Sequence, residues 1–240
     1  MTLGAETTHP NLPNRSSGNL MSPSPDPPSD HHSQPNSPSR LVSLYQTLAA
    51  EHPRGFYQVC LAVLCERWAA FTLISTAALM LCERFGFPRG DALRVLGIVS
   101  AAGYFGSLPG GHLLDKTSSP SRGIGISTLL LLLGYITLSL PFRSTLYAAF
   151  GLLIAGHSLY KPSTQRMLAA IYPSGDSRLV GAQILLHIAV NLGAAAGSLS
   201  AGLLLRYAGW SITYASAALM MSLGGVLFWQ RQVDPSGIKT

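Results

Sequence analysis

Long apolar runs, separated by short stretches of charged and turn-forming residues, fill the chain from residue 56 to residue 230. Each run reaches the roughly 17 to 25 residues that an α-helix needs to cross the hydrocarbon core of a bilayer. Because loops and open sheets cannot satisfy their backbone hydrogen bonds inside lipid, the pattern predicts a bundle of membrane-spanning helices. We place six spans at residues 56–81, 92–114, 123–141, 145–170, 179–205 and 211–230.

The composition agrees with a membrane protein and argues against several other classes. Hydrophobic residues make up 48% of the chain and charged residues only 11%, which is more apolar than an ordinary soluble domain. The net charge of +6 comes from single basic residues at helix ends, so we expect no nucleic-acid partner.

The three cysteines form no framework, and His31 and His32 have no third ligand nearby, so we expect no metal. Without a Ser/His/Asp set or a phosphate loop, we expect neither an enzyme nor a cofactor.

The regions flanking the spans differ from them in composition. Residues 1–40 contain half of the 16 prolines and too few apolar residues to form a core, which predicts a disordered tail. We expect a short helix on the membrane interface at 41–55, a six-helix transmembrane domain at 56–230 and a polar tail at 231–240. The N-terminus lacks the basic and apolar regions of a signal peptide, so the first span should direct insertion. Basic residues balance between the two sides, so the positive-inside rule does not orient the bundle.

Charged residues occur at the centre of two spans, which predicts a polar pathway through the bilayer. Lys161 lies near mid-depth of the fourth span, where a charge costs roughly 2.5–3.5 kcal/mol on insertion scales. Glu66 and Arg67 lie at the centre of the first span. Since Glu66 is the only acidic residue inside any predicted span, we expect it within ion-pair reach of Lys161, with Arg67 facing an anionic ligand. Two alternatives stay open: Glu66 and Arg67 neutralise each other, or Lys161 snorkels to the interface.

Four short motifs follow one another in four of the spans: Cys65-Glu-Arg-Trp68, Leu108-Pro-Gly-Gly-His-Leu-Leu-Asp115, Gly156-His-Ser-Leu-Tyr-Lys-Pro162 and His187-Ile-Ala-Val-Asn-Leu-Gly193. In order and spacing they resemble the N-terminal half of the proton-coupled oligopeptide transporter family, a branch of the major facilitator superfamily. The resemblance covers roughly residues 53–205. His157, inside the third motif, is expected to be a packed, hydrogen-bonded histidine.

The resemblance implies an all-α, multi-pass protein of the plasma or inner membrane, with two inverted three-helix repeats that form half of a major facilitator fold. It implies proton-coupled uptake of small peptides or similar zwitterionic solutes, completed by a second six-helix half or by a homodimer. The substrate and proton-coupling positions that it implies are Glu66, Arg67, Lys161, Asn191 and His187. The gating and packing positions that it implies are Gly110, Gly111, Asp115, Pro162 and Gly193, with a helix kink expected at Pro162.

The chain departs from the family pattern at several positions of the first span. The family's signature there is Glu-x-x-Glu-Arg-Phe followed by tyrosines and another basic residue. Val63 stands at the first glutamate position, Ala70 and Phe71 at the tyrosine positions and Ile74 at the basic position. His187 stands where a tyrosine is common. These losses keep an alternative open, in which the chain is a truncated or decayed protein that scaffolds or binds solutes without transporting them.

Overall fold

The computed structural model describes residues 51–115 and 120–229, and all regular secondary structure in this part of the chain is helical. A π-helical turn, Met80–Arg84, extends the first helix. The predicted tails at 1–40 and 231–240, and most of the predicted interfacial helix at 41–55, lie outside the described residues. The helices are α1 Arg54–Leu79, α2 Arg89–Phe105, α3 Ser107–Asp115, α4 Pro120–Ser139, α5 Arg143–Ile171 and α6 Arg178–Trp229.

Four stretches of these helices are long and apolar enough to cross a membrane: Arg54–Arg84, Arg89–His112, Ser121–Ser139 and Arg178–Phe228. The predicted all-α membrane fold is therefore confirmed at this level. The 29 residues of α5 are also long enough, but Lys161 near its middle and Arg166 nearer its C-terminus make it more polar. The second predicted span, 92–114, is divided by Gly106 into α2 and α3.

The chain reverses direction at Gly209, inside the range assigned to α6. Gly209 has φ 76° and ψ 179°, in the left-handed region that glycine adopts without the steric cost of a Cβ atom. After this residue, the Tyr214 hydroxyl lies 3.0 Å from the Thr76 hydroxyl near the end of α1. Further along, Gly224 lies against Cys65, nearer the start of α1. Later residues thus meet earlier parts of α1, and this segment runs antiparallel to it.

The first part of α6 runs parallel to α1 in close backbone contact. A Cβ atom added at Gly193 would overlap the Leu64 carbonyl, and one added at Gly197 would overlap the Trp68 carbonyl. The Thr72 hydroxyl lies 3.4 Å from the carbonyl oxygen of Gly197. Two glycines spaced by three residues let helix backbones approach in this way, which membrane bundles use in place of a hydrophobic driving force. Gly193, one of the predicted gating and packing positions, lies at this contact.

One end of the bundle is held together by Arg84, which follows α1. Its guanidinium donates to the carbonyl oxygens of Leu138 at 3.2 Å and Ser139 at 2.9 Å, at the C-terminus of α4. It also donates to the Ser211 hydroxyl at 3.1 Å, just after the reversal at Gly209. A cation there satisfies carbonyl groups that have no partner within their own helix.

At the opposite end, the residues before α1 meet the loop between α5 and α6. Nδ1 of the buried His52 lies 2.8 Å from the Tyr172 hydroxyl. Arg178 donates to the Glu51 carbonyl at 3.2 Å and forms an ion pair with Asp176 at 2.8 Å. Since α1 starts here and ends near Arg84, while α5 ends here, α1 and α5 are antiparallel.

Candidate functional site

A cavity of about 170 Å³ opens between α1, α2 and α5. Three basic side chains, Arg67, His157 and Lys161, lie along its wall. The rest of the lining is apolar or small apart from Ser100 and Tyr104, and no acidic side chain lines it among the residues described. A mostly apolar pocket with a few convergent polar groups is typical of a small-molecule site.

Glu66 lies next to this cavity but is closed off from it, with only 1% of the residue exposed. Both of its carboxylate oxygens accept hydrogen bonds from Arg67, through Nε and Nη2. Nδ1 of His157 lies 3.1 Å from Oε1 of the same carboxylate. A buried carboxylate is tolerated only when it is paired and hydrogen-bonded in this way.

The expected ion pair between Glu66 and Lys161 is wrong. Among the described ion pairs, Glu66 has Arg67 and His157 as partners, and Lys161 does not reach it. His157 lies one helical turn before Lys161 on α5, at the level of Glu66, and it takes the place predicted for the lysine. Arg67 is therefore engaged by its neighbour in the chain, as in the first alternative, and does not face an anionic ligand alone.

Lys161 lies on the cavity wall with its side chain largely exposed. Its Nζ is 4.7 Å from the centre of the Tyr104 ring on α2, within the range of a cation–π interaction. Within the described part of the chain, no carboxylate comes within ion-pair distance of it. The lysine thus presents a positive charge that no described acidic group balances.

Two tyrosines that the sequence reasoning missed lie near the Glu66 pair. Tyr135 on α4 is fully buried, and its hydroxyl has no hydrogen-bond partner among the described residues. Tyr160 on α5 is 4% exposed. Both interact electrostatically with Glu66 and Arg67. Tyr135 lies within the third predicted span, where most residues are apolar, and its hydroxyl there is the only sequence signal that could have singled it out.

The predicted positions on α6 lie away from the cavity. Asn191 and His187 are both exposed, and neither lines the cavity. Nδ1 of His187 lies 2.9 Å from the Gln183 carbonyl oxygen of its own helix. Gly193, on the same helix, packs against α1.

Gly110 and Gly111 lie at the contact between α3 and the part of α5 around Ser158 and Pro162. Pro162 has no N–H group, so the carbonyl of Ser158 one turn earlier loses its helical donor. That carbonyl oxygen occupies the position that a Cβ atom on Gly110 would take, and a Cβ atom on Gly111 would lie 4.0 Å from Pro162. The assigned helix Arg143–Ile171 continues through Pro162. Asp115 ends α3, and its side chain lies outside the described residues.

Residues 59–239 match the profile of the Major Facilitator Superfamily. The dipeptide and tripeptide permease A of Escherichia coli (strain K12) is 27% identical over 206 residues, which are 84% of this chain and 41% of the permease. The di-/tripeptide transporter of Lactococcus lactis subsp. lactis (strain IL1403) is 28% identical over 193 residues, covering 80% of this chain and 37% of that protein. The chain thus spans about two fifths of the length of these relatives.

Solved structures of similar fold come from the same group of transporters. A POT family transporter in complex with a thioalcohol conjugated peptide aligns with a TM-score of 0.75 at 23% identity, over 80% of this chain and 41% of that one. A POT family transporter in complex with 5-aminolevulinic acid aligns with a TM-score of 0.72 at 23% identity, over 75% of this chain and 38% of that one.

Proposed function

Because this chain belongs to the major facilitator superfamily, we propose that it forms the N-terminal half of a proton-coupled transporter for small peptides or similar zwitterionic solutes. The similar permeases carry the names of dipeptide and tripeptide carriers. The chain corresponds to about 41% of the Escherichia coli permease, so the proposal includes a second six-helix half, supplied by another chain or by a second copy of this one.

The observation that carries the proposal is the unbalanced charge on Lys161. Its ammonium lines a mostly apolar cavity and packs over the Tyr104 ring at 4.7 Å. A solute carboxylate bound there would complete an ion pair that no described residue completes. In a low-dielectric site such a pair is far stronger than in water.

The amino group of a zwitterion needs an acidic partner as well. Glu66 is held by Arg67 and His157, and no acidic side chain among the described residues lines the cavity. The second half would therefore supply the acidic group, and the solute would bind between the halves. Asn191 and His187, exposed on α6, are proposed to face the same partner.

We also propose that the described helices make six membrane crossings, arranged as two inverted three-helix repeats. Two features support the number of six crossings. The direction of the chain relative to α1 reverses at Gly209, which divides α6 into two crossings. The helices α2 and α3 join at Gly106 without a connecting loop, which makes them one crossing.

The test is dipeptide binding by the full chain, with two copies in each lipid nanodisc so that a second half is present, measured by titration calorimetry. We expect Ala-Ala to bind the unmodified chain and the Lys161→Met variant to bind it at least tenfold more weakly. Arg206→Met removes a basic residue at the end of the first part of α6, outside the cavity lining, and should leave the affinity unchanged. Equal affinities for all three proteins would overturn the assignment of Lys161.

Uptake of labelled Ala-Ala into proteoliposomes separates transport from binding. Uptake driven by an inward proton gradient supports the transporter. Binding without uptake supports the alternative of a protein that binds solute but no longer transports it.

A further inference from the structure

His157 connects the buried ion pair with the cavity. Its Nδ1 lies 3.1 Å from Oε1 of Glu66, and its side chain is 28% exposed against 1% for the glutamate. The same imidazole lines the cavity together with Lys161. It is therefore both a partner of the buried carboxylate and accessible to water or solute.

The groups that face His157 come from every helix packed around it. From α1, Glu66 contacts His157 and Arg67 lines the same cavity. From its own helix, Lys161 lines that cavity and Tyr160 interacts with the Glu66 pair. Tyr104 on α2 lies across the cavity, and Tyr135 on α4 interacts with the Glu66 pair from the buried side. Glu66 is the only carboxylate in this described set.

The hydrogen bonding fixes which nitrogen of His157 can take up a proton. An ionised carboxylate only accepts hydrogen bonds, so Nδ1 must donate to Glu66. Nε2 then carries the lone pair of the neutral ring. Arg67 keeps its proton at all working pH values and holds Glu66 with two donors, so the carboxylate stays ionised. Among these groups, histidine is the side chain that ordinarily changes charge near neutral pH.

We propose that His157 carries the coupled proton, and that this proton and a solute carboxylate at Lys161 bind cooperatively. This inference rests on the proposed function. A proton from the aqueous cavity adds to the Nε2 lone pair and gives an imidazolium, and its release to water restores the neutral ring. Protonation of His157 raises the summed charge of Glu66, Arg67, Lys161 and His157 from +1 to +2. An anionic solute group stabilises that state, and by linkage the proton strengthens solute binding equally.

The first test measures the proton affinity of His157 directly in the full chain, in nanodiscs, by NMR of ring-labelled histidine. His157→Asn keeps a donor near the Nδ1 position and identifies the resonance by its loss. We expect Glu66→Gln to lower the proton affinity of His157 at least tenfold, because it removes the adjacent negative charge. Lys161→Met should raise it several-fold, because it removes a positive charge one turn away. The exposed His187 should keep its titration in both variants.

Either variant alone tests the coupling if the other fails to insert. A His157 titration that moves in neither variant, or an imidazole that stays neutral between pH 4 and pH 9, would overturn the inference.

The second test adds solute to the same sample. Ala-Ala should raise the proton affinity of His157 several-fold, whereas its C-terminal amide, which lacks the carboxylate, should not. Ala-Ala that binds by calorimetry without moving the His157 titration would overturn the inference and leave the proposed function intact. Ala-Ala that does not bind, while His157 still responds to Glu66→Gln, would overturn the proposed function and support His157 as the proton-carrying partner of Glu66.

Discussion

At the scale of single residues, the pairing of Glu66 with Arg67 decides what the site can do. Successive helix positions point about 100° apart, so neighbours in sequence are not expected to meet. The arginine side chain is long enough to fold back and place its guanidinium against both carboxylate oxygens. The direction of a Cβ atom therefore does not fix where the end of a long side chain lies. Because this pair is closed, Lys161 has no carboxylate partner among the described residues.

The buried pair predicts a non-additive pattern of stability. Breaking such a pair by removing one partner strands a buried charge and typically costs about 3–5 kcal/mol. We expect Arg67→Met alone to destabilise the chain more than the double variant Glu66→Gln with Arg67→Met. The free energies of unfolding in mixed micelles, measured as SDS is increased, check this.

Lys161→Met provides the comparison for that experiment. Since Lys161 does not contact Glu66, the effects of Lys161→Met and Glu66→Gln should add within a few tenths of a kcal/mol. If Arg67→Met and the double variant are equally unstable, Glu66 is not stranded by loss of the arginine and the pairing is contradicted.

The sequence allowed part of this site to be predicted. Charges within apolar spans are conspicuous, so Glu66, Arg67 and Lys161 could be selected from the sequence alone. The partner of Glu66 could not, because three basic side chains compete for one carboxylate and only the helix register decides between His157 and Lys161. Tyr135 was missed because its place near the Glu66 pair depends on how α4 packs against α5 and α6, which no local pattern encodes.

At the scale of helices, the contact between α1 and the first part of α6 depends on two glycines. Gly193 and Gly197 leave no room for a side chain against the α1 backbone. By contrast, Gly202, further along the same helix, has no atom within 4 Å of an added Cβ. The chain thus contains its own control for a packing experiment.

We predict that Gly197→Leu separates α1 from α6 and strongly destabilises the bundle, because the side chain would overlap the Trp68 carbonyl. Overpacking of this kind typically costs about 1–3 kcal/mol, and more where backbone is the obstacle. Gly202→Leu should leave stability within about 0.5 kcal/mol, as expected of a substitution away from packed contacts. Thermal unfolding of both variants in detergent tests the prediction, and equal melting temperatures would contradict it.

The stability that the contact between His52 and Tyr172 gives to the folded chain should depend on pH. This contact lies at the end of the bundle opposite Arg84. Burial, reinforced by the charge of Arg178, lowers the pKa of His52, while Asp176 acts in the opposite direction. The ion pair with Arg178 in turn lowers the pKa of Asp176. A histidine whose pKa is lowered in the folded state stabilises that state above its unfolded pKa of about 6.5. That stabilisation is lost progressively as the pH falls below this value.

We therefore expect the unmodified chain to lose more thermal stability between pH 7.5 and pH 5.5 than the His52→Asn variant. Asparagine can keep a hydrogen bond to the Tyr172 hydroxyl but takes up no proton. His187→Asn, at an exposed position, should lose as much stability as the unmodified chain. Parallel losses in all three proteins would show that His52 does not contribute to the pH dependence.

The boundaries of most helices could be predicted from sequence to within a few residues, since charged residues and prolines mark where apolar runs end. The predicted span at 145–170 corresponds to Arg143–Ile171, and that at 123–141 to Pro120–Ser139. The division at Gly106 could not be predicted, because the apolar pattern continues across it. At the same position α2 approaches α5 closely, since an added Cβ atom at Gly106 would collide with Ser158.

At the scale of the whole molecule, the family could be predicted because its motifs occur in order along the chain. The predicted likeness to the oligopeptide transporters is confirmed by the superfamily match, the similar permeases and the POT structures. The match at residues 59–239 extends beyond the predicted range of 53–205 into the last helical segment. The chain is accordingly a multi-pass integral membrane protein, and its relatives are carriers rather than enzymes.

The two ends of the bundle predict which loops share a side of the membrane. Arg84, Ser139 and Ser211 meet at one end, where Arg143 also lies 4.7 Å from the centre of the Phe87 ring. His52 and Tyr172 meet at the other end. A helical bundle that crosses a bilayer exposes its two ends to opposite aqueous compartments.

We therefore predict that single cysteines at positions 90 and 142 react with an impermeant thiol reagent from one side, and a cysteine at position 174 from the other. The substitutions are Gly90→Cys, Phe142→Cys and Ser174→Cys, in a background where Cys60, Cys65 and Cys82 are replaced by alanine. All three positions are exposed, and an added Cβ atom at Gly90 meets no atom within 4 Å, so each thiol should be accessible without distorting the fold. Labelling of positions 90 and 174 from the same side would mean that α1 does not cross the membrane, and the arrangement of the bundle would have to be abandoned.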